Sequence, residues 1–267
     1  MQETNFLQWL VLALIQGLTE YLPISSSAHL ILISKVMHWK DQGLIMDIAA
    51  HAGSLIAVIW YFKNEVVKLF QGKNWPLFYQ LTLASIPLAV VGYTFADSIE
   101  KFLRSPVIIA LASIIFGILL FASDINQKKT NQTNNANKKD IKKNIIKYKQ
   151  ALLIGFAQIF ALIPGASRSG VTMTAAMAQG FSRTQAAKFS FLLAIPALLM
   201  TTAYGFLKLY KQPTEYNILG VVTVLIISFL ASLVSIKLFL KLIEKISMAV
   251  FLWYRVGLAL LILGYSL

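Results

Sequence analysis

Cysteine is absent from the 267 residues of this chain, which excludes a disulfide framework, a thiolate nucleophile and any Cys-ligated metal. Charge is scarce as well. Only 13% of the residues are Asp, Glu, Lys or Arg, against about a quarter in ordinary soluble domains. With 57% hydrophobic residues and a mean hydropathy of +0.68, a soluble fold is not expected. Acidic groups are the rarest, 11 against 24 Lys and Arg, so any carboxylate inside an apolar stretch stands out. The start, Met1-Gln2-Glu3-Thr4-Asn5, lacks the basic region and small-residue cleavage site of a secretory signal, and the first apolar segment is therefore expected to stay in the mature chain. The net charge of +13 lies in loops between apolar runs rather than along one groove-lining helix, so nucleic acid is not an expected partner.

What is present is a series of apolar runs. Six approach the roughly 20 residues a helix needs to cross a hydrocarbon core of about 30 Å: Ile45 to Phe62, Phe78 to Phe95, Val107 to Ser123, Ala187 to Leu207, Ile218 to Leu240 and Met248 to Leu267. Two others are interrupted. Phe6 to Leu22 holds Gln16 and Glu20 and ends at Pro23, while Ala151 to Ile163 is short and ends at Pro164-Gly165; both are expected to be broken helices that enter and turn back. A run of small polar residues follows each break: Ser25-Ser26-Ser27-Ala28-His29 in one case, Ser167-Arg168-Ser169-Gly170 in the other.

These two breaks, each followed by three spans, predict an all-α polytopic membrane protein with six transmembrane helices and two re-entrant helix pairs. Three spans per half is odd, so the halves are expected to be inverted relative to each other, the plan of many transporters. Residues 1–123 form the first repeat, 124–150 a cytoplasmic linker and 151–267 the second repeat. The linker expectation rests on the Asn- and Lys-rich composition of Asp124 to Gln150. Lys and Arg counts agree with this topology: sixteen fall in the loops of one side and six in those of the other. Because cytoplasmic loops are enriched in these residues, both termini and the entrance of the first hairpin are expected on the outer face of the membrane.

Ionisable groups within a bilayer are costly and default to functional candidates. Glu20, His29 and Arg168 qualify, and Gln16 shares a helix face with Glu20. If the breaks meet, a carboxylate, an imidazole, a guanidinium and several hydroxyls converge. Each re-entering helix would also point its N-terminus there, with unpaired N–H groups and a partial positive charge that suit an anion. Ser25 and Ser27, with Ser167, Ser169 and Thr172, add hydroxyl donors, and the Arg168 guanidinium offers a fork matched to phosphate oxygens. Two facing anion sites suggest a diphosphate. A divalent cation, Mg²⁺ or Ca²⁺ in its place, is expected between the phosphates and Glu20, with help from Gln16.

The run Gln16-Gly17-Leu18-Thr19-Glu20-Tyr21-Leu22-Pro23-Ile24-Ser25-Ser26-Ser27-Ala28-His29-Leu30 resembles the first signature of the undecaprenyl pyrophosphate phosphatases, the bacitracin-resistance proteins. Pro164-Gly165-Ala166-Ser167-Arg168-Ser169-Gly170-Val171-Thr172 is similar to their second signature. Gln16, where many members have Glu, Ala28, where Gly is frequent, and a longer central loop depart from the pattern. The resemblance implies hydrolysis of undecaprenyl diphosphate to the monophosphate at the outer face of the bacterial cytoplasmic (inner) membrane, recycling the carrier for cell-wall polymers. On chemical grounds Ser26 is the leading nucleophile, with His29 three residues on to take its proton or to attack directly. Arg168 would stabilise charge on the transferred group. A polyprenyl-phosphate transporter or flippase is the rival reading, since fold does not dictate function. Expected partners are the polyprenyl diphosphate lipid, membrane lipids and a second copy of the chain as a homodimer.

Other residues receive blander readings. Asp47 and His51 are expected to be a hydrogen-bonded pair near a helix start. His38, Trp39, Trp60, Tyr61 and Trp75 read as interfacial anchors. Arg255, between snorkelling and pairing, receives no role.

Overall fold

The computed structural model describes residues 6–39, 43–136, 146–211 and 216–265. Among them every regular element is helical: α1 Phe6–Thr19, α2 Ser26–Val36, α3 Leu44–Tyr61, α4 Lys63–Phe70, α5 Trp75–Phe102, α6 Pro106–Ala136, α7 Tyr148–Gln158, α8 Arg168–Ala178, α9 Arg183–Lys211, α10 Ile218–Leu242 and α11 Ala249–Gly264. A 3₁₀ turn, Ile159–Leu162, extends α7.

Both expected breaks are present. Helix α1 stops at Thr19, and the chain turns through Pro23 before α2 begins at Ser26. Helix α7 runs through its 3₁₀ turn to Pro164-Gly165, and α8 begins at Arg168. The prolines are one cause, because neither can donate to a continuing helix. Gly165 is another, at φ +96, a conformation that glycine adopts without steric cost.

Among the described residues five helices are long and apolar enough to cross a membrane: Leu44–Tyr61, Trp75–Phe95 within α5, Pro106–Gln127 within α6, Arg183–Lys211 and Ile218–Leu242. The chain is thus a multi-pass membrane protein. The sixth expected span, Met248 to Leu267, contains α11, whose 16 described helical residues from Ala249 to Gly264 rise about 24 Å at 1.5 Å per residue. Leu111, Ile115 and Ile118 on α6 and Leu230, Val234 and Leu238 on α10 are about half exposed, forming apolar outer faces that suit lipid.

The interior is built by close backbone approach and by hydroxyls, as expected where lipid tails weaken the hydrophobic drive between helices. On α10, Ser228, Ser232 and Ser235 donate to the carbonyls of Ala13, Gly17 and Leu18 at 3.1, 3.1 and 2.7 Å. Gly17 permits this contact, since a Cβ there would lie 2.6 Å from the Ser228 carbonyl oxygen. Gly155 does the same for α7, which lies against the Ala84 backbone of α5 just before the Pro87 kink. A larger apolar cluster, including Tyr21, Met173, Phe191, Phe239 and Phe251, fills the space below the hairpin tips.

The linker differs from its expectation. Helix α6 continues past Ser123 to Ala136, and Asp124 is 1% exposed rather than solvated. Its carboxylate accepts two hydrogen bonds from Arg183 of α9, Nε to Oδ1 at 2.5 Å and Nη2 to Oδ2 at 2.6 Å, while Arg183 Nη1 donates to the Ile246 carbonyl at 2.6 Å. Polar composition alone reads as solvation; a cation supplied by another helix lets the carboxylate stay inside. Positions 137–145 of the expected linker, the N-terminal Met1 to Asn5 and the last two residues of the sixth span lie outside the described residues.

Candidate active site

The two hairpin tips touch. Ser169 Oγ donates to the Leu22 carbonyl at 2.8 Å and Ser167 Oγ reaches the same oxygen at 3.4 Å, so the second break is hydrogen-bonded to the first across the core. The turns resemble each other in detail. Ser25 precedes α2 at φ 69, ψ 97 and Ser167 precedes α8 at φ 68, ψ 112. In each, the serine hydroxyl meets the one two residues on: Ser25 with Ser27 at 3.2 Å and Ser167 with Ser169 at 3.1 Å. A non-glycine residue held in this left-handed region costs about 1–3 kcal/mol, and such strain clusters at functional sites.

At this junction Glu20 is the hub. Arg168 Nη2 donates to its Oε1 at 3.1 Å, and on its other oxygen Gln16 Nε2 at 2.8 Å and Ser26 Oγ at 3.1 Å are both donors. The second arm of the Arg168 fork donates to the Ser190 carbonyl at 3.0 Å. The Tyr21 ring lies beneath the guanidinium at 5.8 Å, and its hydroxyl donates to the Ser54 carbonyl at 2.6 Å. Tyr21 therefore anchors the first tip to α3 while supporting the cation of the second. Glu20 and Arg168 side chains remain 9% and 11% exposed, enough to face a cavity.

Two adjoining cavities open here. One of about 210 Å³ is lined by polar residues, among them Glu20, Ser26 and Arg168, and by apolar ones, among them Leu88, Leu162 and Leu198. The other, about 450 Å³, shares Ser26 and Ser27 with it and extends past Gln16 to Lys35 and Arg104. An anionic head with an apolar tail matches the first cavity's mixed lining.

Not every expected site residue faces this space. His29 lines neither cavity. Its Nδ1 donates to the Ser25 carbonyl at 2.7 Å, so in the neutral ring Nε2 accepts from the Tyr254 hydroxyl, also at 2.7 Å. Both nitrogens are thereby committed, and the helical spacing that suggested a Ser26–His29 pair does not join them: the Ser26 hydroxyl turns to Glu20 instead. Ser169 is fully buried with its hydroxyl on Leu22 and Ser167, and Thr172 bonds Ser190 Oγ at 2.7 Å; these two hold the tip together.

His51, set aside on sequence grounds, lines both cavities. The pairing expected with Asp47 runs through the backbone, His51 Nδ1 to the Asp47 carbonyl at 2.8 Å. Tyr21 and Tyr254, which no motif reasoning singled out, and Arg255, left without a role, complete the surroundings. An ionisable residue deep in an apolar run was the one available signal for Arg255.

A divalent cation fits the donor chemistry. Among the described residues no three His, Asp or Glu side chains gather into a closed cage. Glu20 supplies one carboxylate, and the Gln16 amide oxygen is buried without a hydrogen-bond partner. One or two such oxygens with the remainder from phosphates and water is the usual way Mg²⁺ is held.

Comparison with known proteins agrees with this geometry. The family profile for bacitracin resistance protein BacA matches residues 9–261. The chain is 43% identical to an undecaprenyl-diphosphatase of Aliivibrio salmonicida (strain LFI1238), over 96% of this chain and 94% of that protein. It is 40% identical to undecaprenyl-diphosphatase 2 of Stutzerimonas stutzeri (strain A1501), covering 97% and 98%, and 41% identical to an undecaprenyl-diphosphatase of Campylobacter concisus (strain 13826), covering 95% and 96%. A match that spans both hairpins and every long helix leaves one assignment: this chain belongs to the bacitracin resistance protein BacA family.

Proposed function

We propose that this protein hydrolyses undecaprenyl diphosphate to undecaprenyl phosphate and inorganic phosphate, returning the lipid carrier to cell-wall synthesis and conferring bacitracin resistance. The observation that carries this reading is the Ser26–Glu20–Arg168 cluster, hydrogen-bonded at 3.1 Å on each side of the carboxylate, in a cavity lined by both polar and apolar residues. The full-length similarity to undecaprenyl-diphosphatases supports the substrate.

The residues divide the work as follows. Ser26 Oγ attacks the terminal phosphorus; the new O–P bond forms as the bridging P–O bond breaks, and prenyl monophosphate leaves with the electron pair. The Ser26 proton passes to Glu20 Oε2, the atom its hydroxyl already faces. Water then attacks the phosphoserine, the Ser26 O–P bond breaks, and Glu20 returns the proton to Oγ as phosphate departs. Arg168 and the N-terminal amides of α2 and α8 favour the charge on the transferred group. Glu20 and Gln16 would hold Mg²⁺, which supplies charge neutralisation for the diphosphate when bound.

The same reading places the protein in the bacterial cytoplasmic membrane with the cavity open to the outer face, supported by the Lys and Arg distribution. An inverted relation of the two halves is supported by the matched turns at Ser25 and Ser167. Purified protein in liposomes tests the function: phosphate release from undecaprenyl diphosphate, lost with EDTA and restored by Mg²⁺, is the expected result. Transbilayer movement of a labelled lipid phosphate with no phosphate release would replace the enzyme by the transporter.

A further inference from the structure

Two adjacent residues of α11 each reach one of the strained turns. Tyr254 donates to His29 Nε2 at 2.7 Å, with the two rings stacked at 5.5 Å and 16°. The other face of that imidazole donates to the Ser25 carbonyl at 2.7 Å. Arg255 Nη2 donates to the carbonyls of Gly165 and Ala166 at 2.7 and 2.5 Å, the two residues that lead into Ser167. Neighbours on a helix point about 100° apart, which is what allows one dipeptide to serve two separate tips.

The partners of each turn show why outside support matters. Ser25 makes no side-chain cap to its own helix, whereas Ser167 accepts from the Gly170 amide. Beside the Ser25–Ser27 hydroxyl contact, the His29–Tyr254 relay is the hold that another element places on the positive-φ Ser25. At the second tip Ser113 of α6 also donates to the Gly165 carbonyl at 3.2 Å, and Arg255 is the side chain that adds the Ala166 carbonyl. Arg255 is fully buried, and among the described residues no carboxylate pairs with it. A buried guanidinium neutralised only by carbonyl dipoles is costly to keep in an apolar core. It lies under the first turn of α8, where a Cβ on Gly170 would sit 3.5 Å from Nη1. Neither Tyr254 nor Arg255 lines the cavities, so neither acts by touching the phosphates there.

We infer that Tyr254 and Arg255 are positioning residues for phosphoryl transfer, one fixing each hairpin tip. Tyr254 acts through His29 and the Ser25 carbonyl to aim the Ser26 hydroxyl at Glu20. Arg255 acts through the Gly165 and Ala166 carbonyls to set Ser167 and the Arg168 fork. Because both sit on α11, a helix outside the two motif-bearing hairpins, one rigid element holds the attacking hydroxyl and the charge-stabilising cation in register. A misplacement of about 1 Å is enough to cost roughly 100-fold in such sites. This inference rests on the phosphatase reading above.

The test uses full-length protein in detergent, with Tyr254→Phe, Arg255→Lys and Arg255→Met, each assayed on a fifteen-carbon and a fifty-five-carbon prenyl diphosphate and each melted in parallel. Wild-type phosphate release in the same assay checks the phosphatase reading independently. Tyr254→Phe removes one hydroxyl and leaves the ring; we expect kcat to fall about 10-fold with KM within twofold, the melting midpoint unchanged, and the same fold loss on both substrates. Arg255→Lys, which keeps a cation but lacks the fork, is expected to lose about 10-fold in kcat and to recover part of the larger loss of Arg255→Met. Wild-type kcat in Tyr254→Phe overturns its role, and so does a loss that grows with chain length, which would make Tyr254 a tail contact. Wild-type kcat in Arg255→Lys, or a lowered melting point with kcat per folded molecule preserved, overturns the role of Arg255.

Discussion

Glu20 and Arg168, 148 positions apart in sequence, form an ion pair at 3.1 Å where the two broken hairpins meet. Each comes from a different half of the chain, and each remains partly open to the cavity. The pair keeps both charges satisfied until a phosphate competes for the guanidinium, so the site can hold two ionised groups within an apolar protein at limited cost.

Altering either partner should therefore lower turnover. Arg168→Lys retains the positive charge but loses the planar fork; its kcat is expected to fall about 100-fold, in the range seen when one transition-state donor is lost. Glu20→Gln preserves hydrogen-bonding capacity toward Arg168 and Ser26 but cannot take a proton, and should lose at least ~100-fold in kcat. Steady-state phosphate release by the purified variants checks both; near-wild-type turnover in Glu20→Gln would move the proton to another acceptor.

Ser26 and His29 should respond unequally. Ser26 faces Glu20, while His29 spans Ser25 and Tyr254. Ser26→Ala is expected to lower turnover at least ~100-fold, as loss of a nucleophile does. His29→Gln, which can still bridge by its amide, should lose only about 10-fold. Single-turnover assays on both proteins decide this, and the reverse order would return His29 to the role of direct nucleophile.

At the other end of the molecule, Arg183 and Asp124 form a buried pair independent of the catalytic groups. Arg183→Ala removes both guanidinium hydrogen bonds from the buried Asp124 carboxylate, and stability should drop by about 3–5 kcal/mol. The double variant Asp124→Ala, Arg183→Ala should regain part of that loss, because no buried charge is left over. Thermal unfolding in detergent measures both; equal loss in the single and double variants would show that the pair contributes nothing through its charges.

Membrane residence, the two helix breaks and the residue types at them are legible in sequence. Hydropathy over about 20 positions, a proline beside a glycine and a carboxylate within an apolar run are local properties, and local physics reads them correctly. The same locality explains where reading along the chain fell short. Asp124 begins a polar segment, and a guanidinium from α9 pairs with it in the interior. Ser26 and His29 share a helix face, yet each finds a better hydrogen-bond partner on another element.

The sequence by itself thus determined what kind of protein this is, where its two hairpins break and that Glu20 and Arg168 lie beside those breaks. The tertiary structure alone decided who pairs with whom: Glu20 with Arg168 and Ser26, His29 with Tyr254, and Arg255 with the turn before Ser167. The reason is physical. A buried polar group takes whatever partner the crossing of helices brings within about 3 Å, and that crossing is set by close packing at residues such as Gly17 and Gly155, against helices distant in sequence.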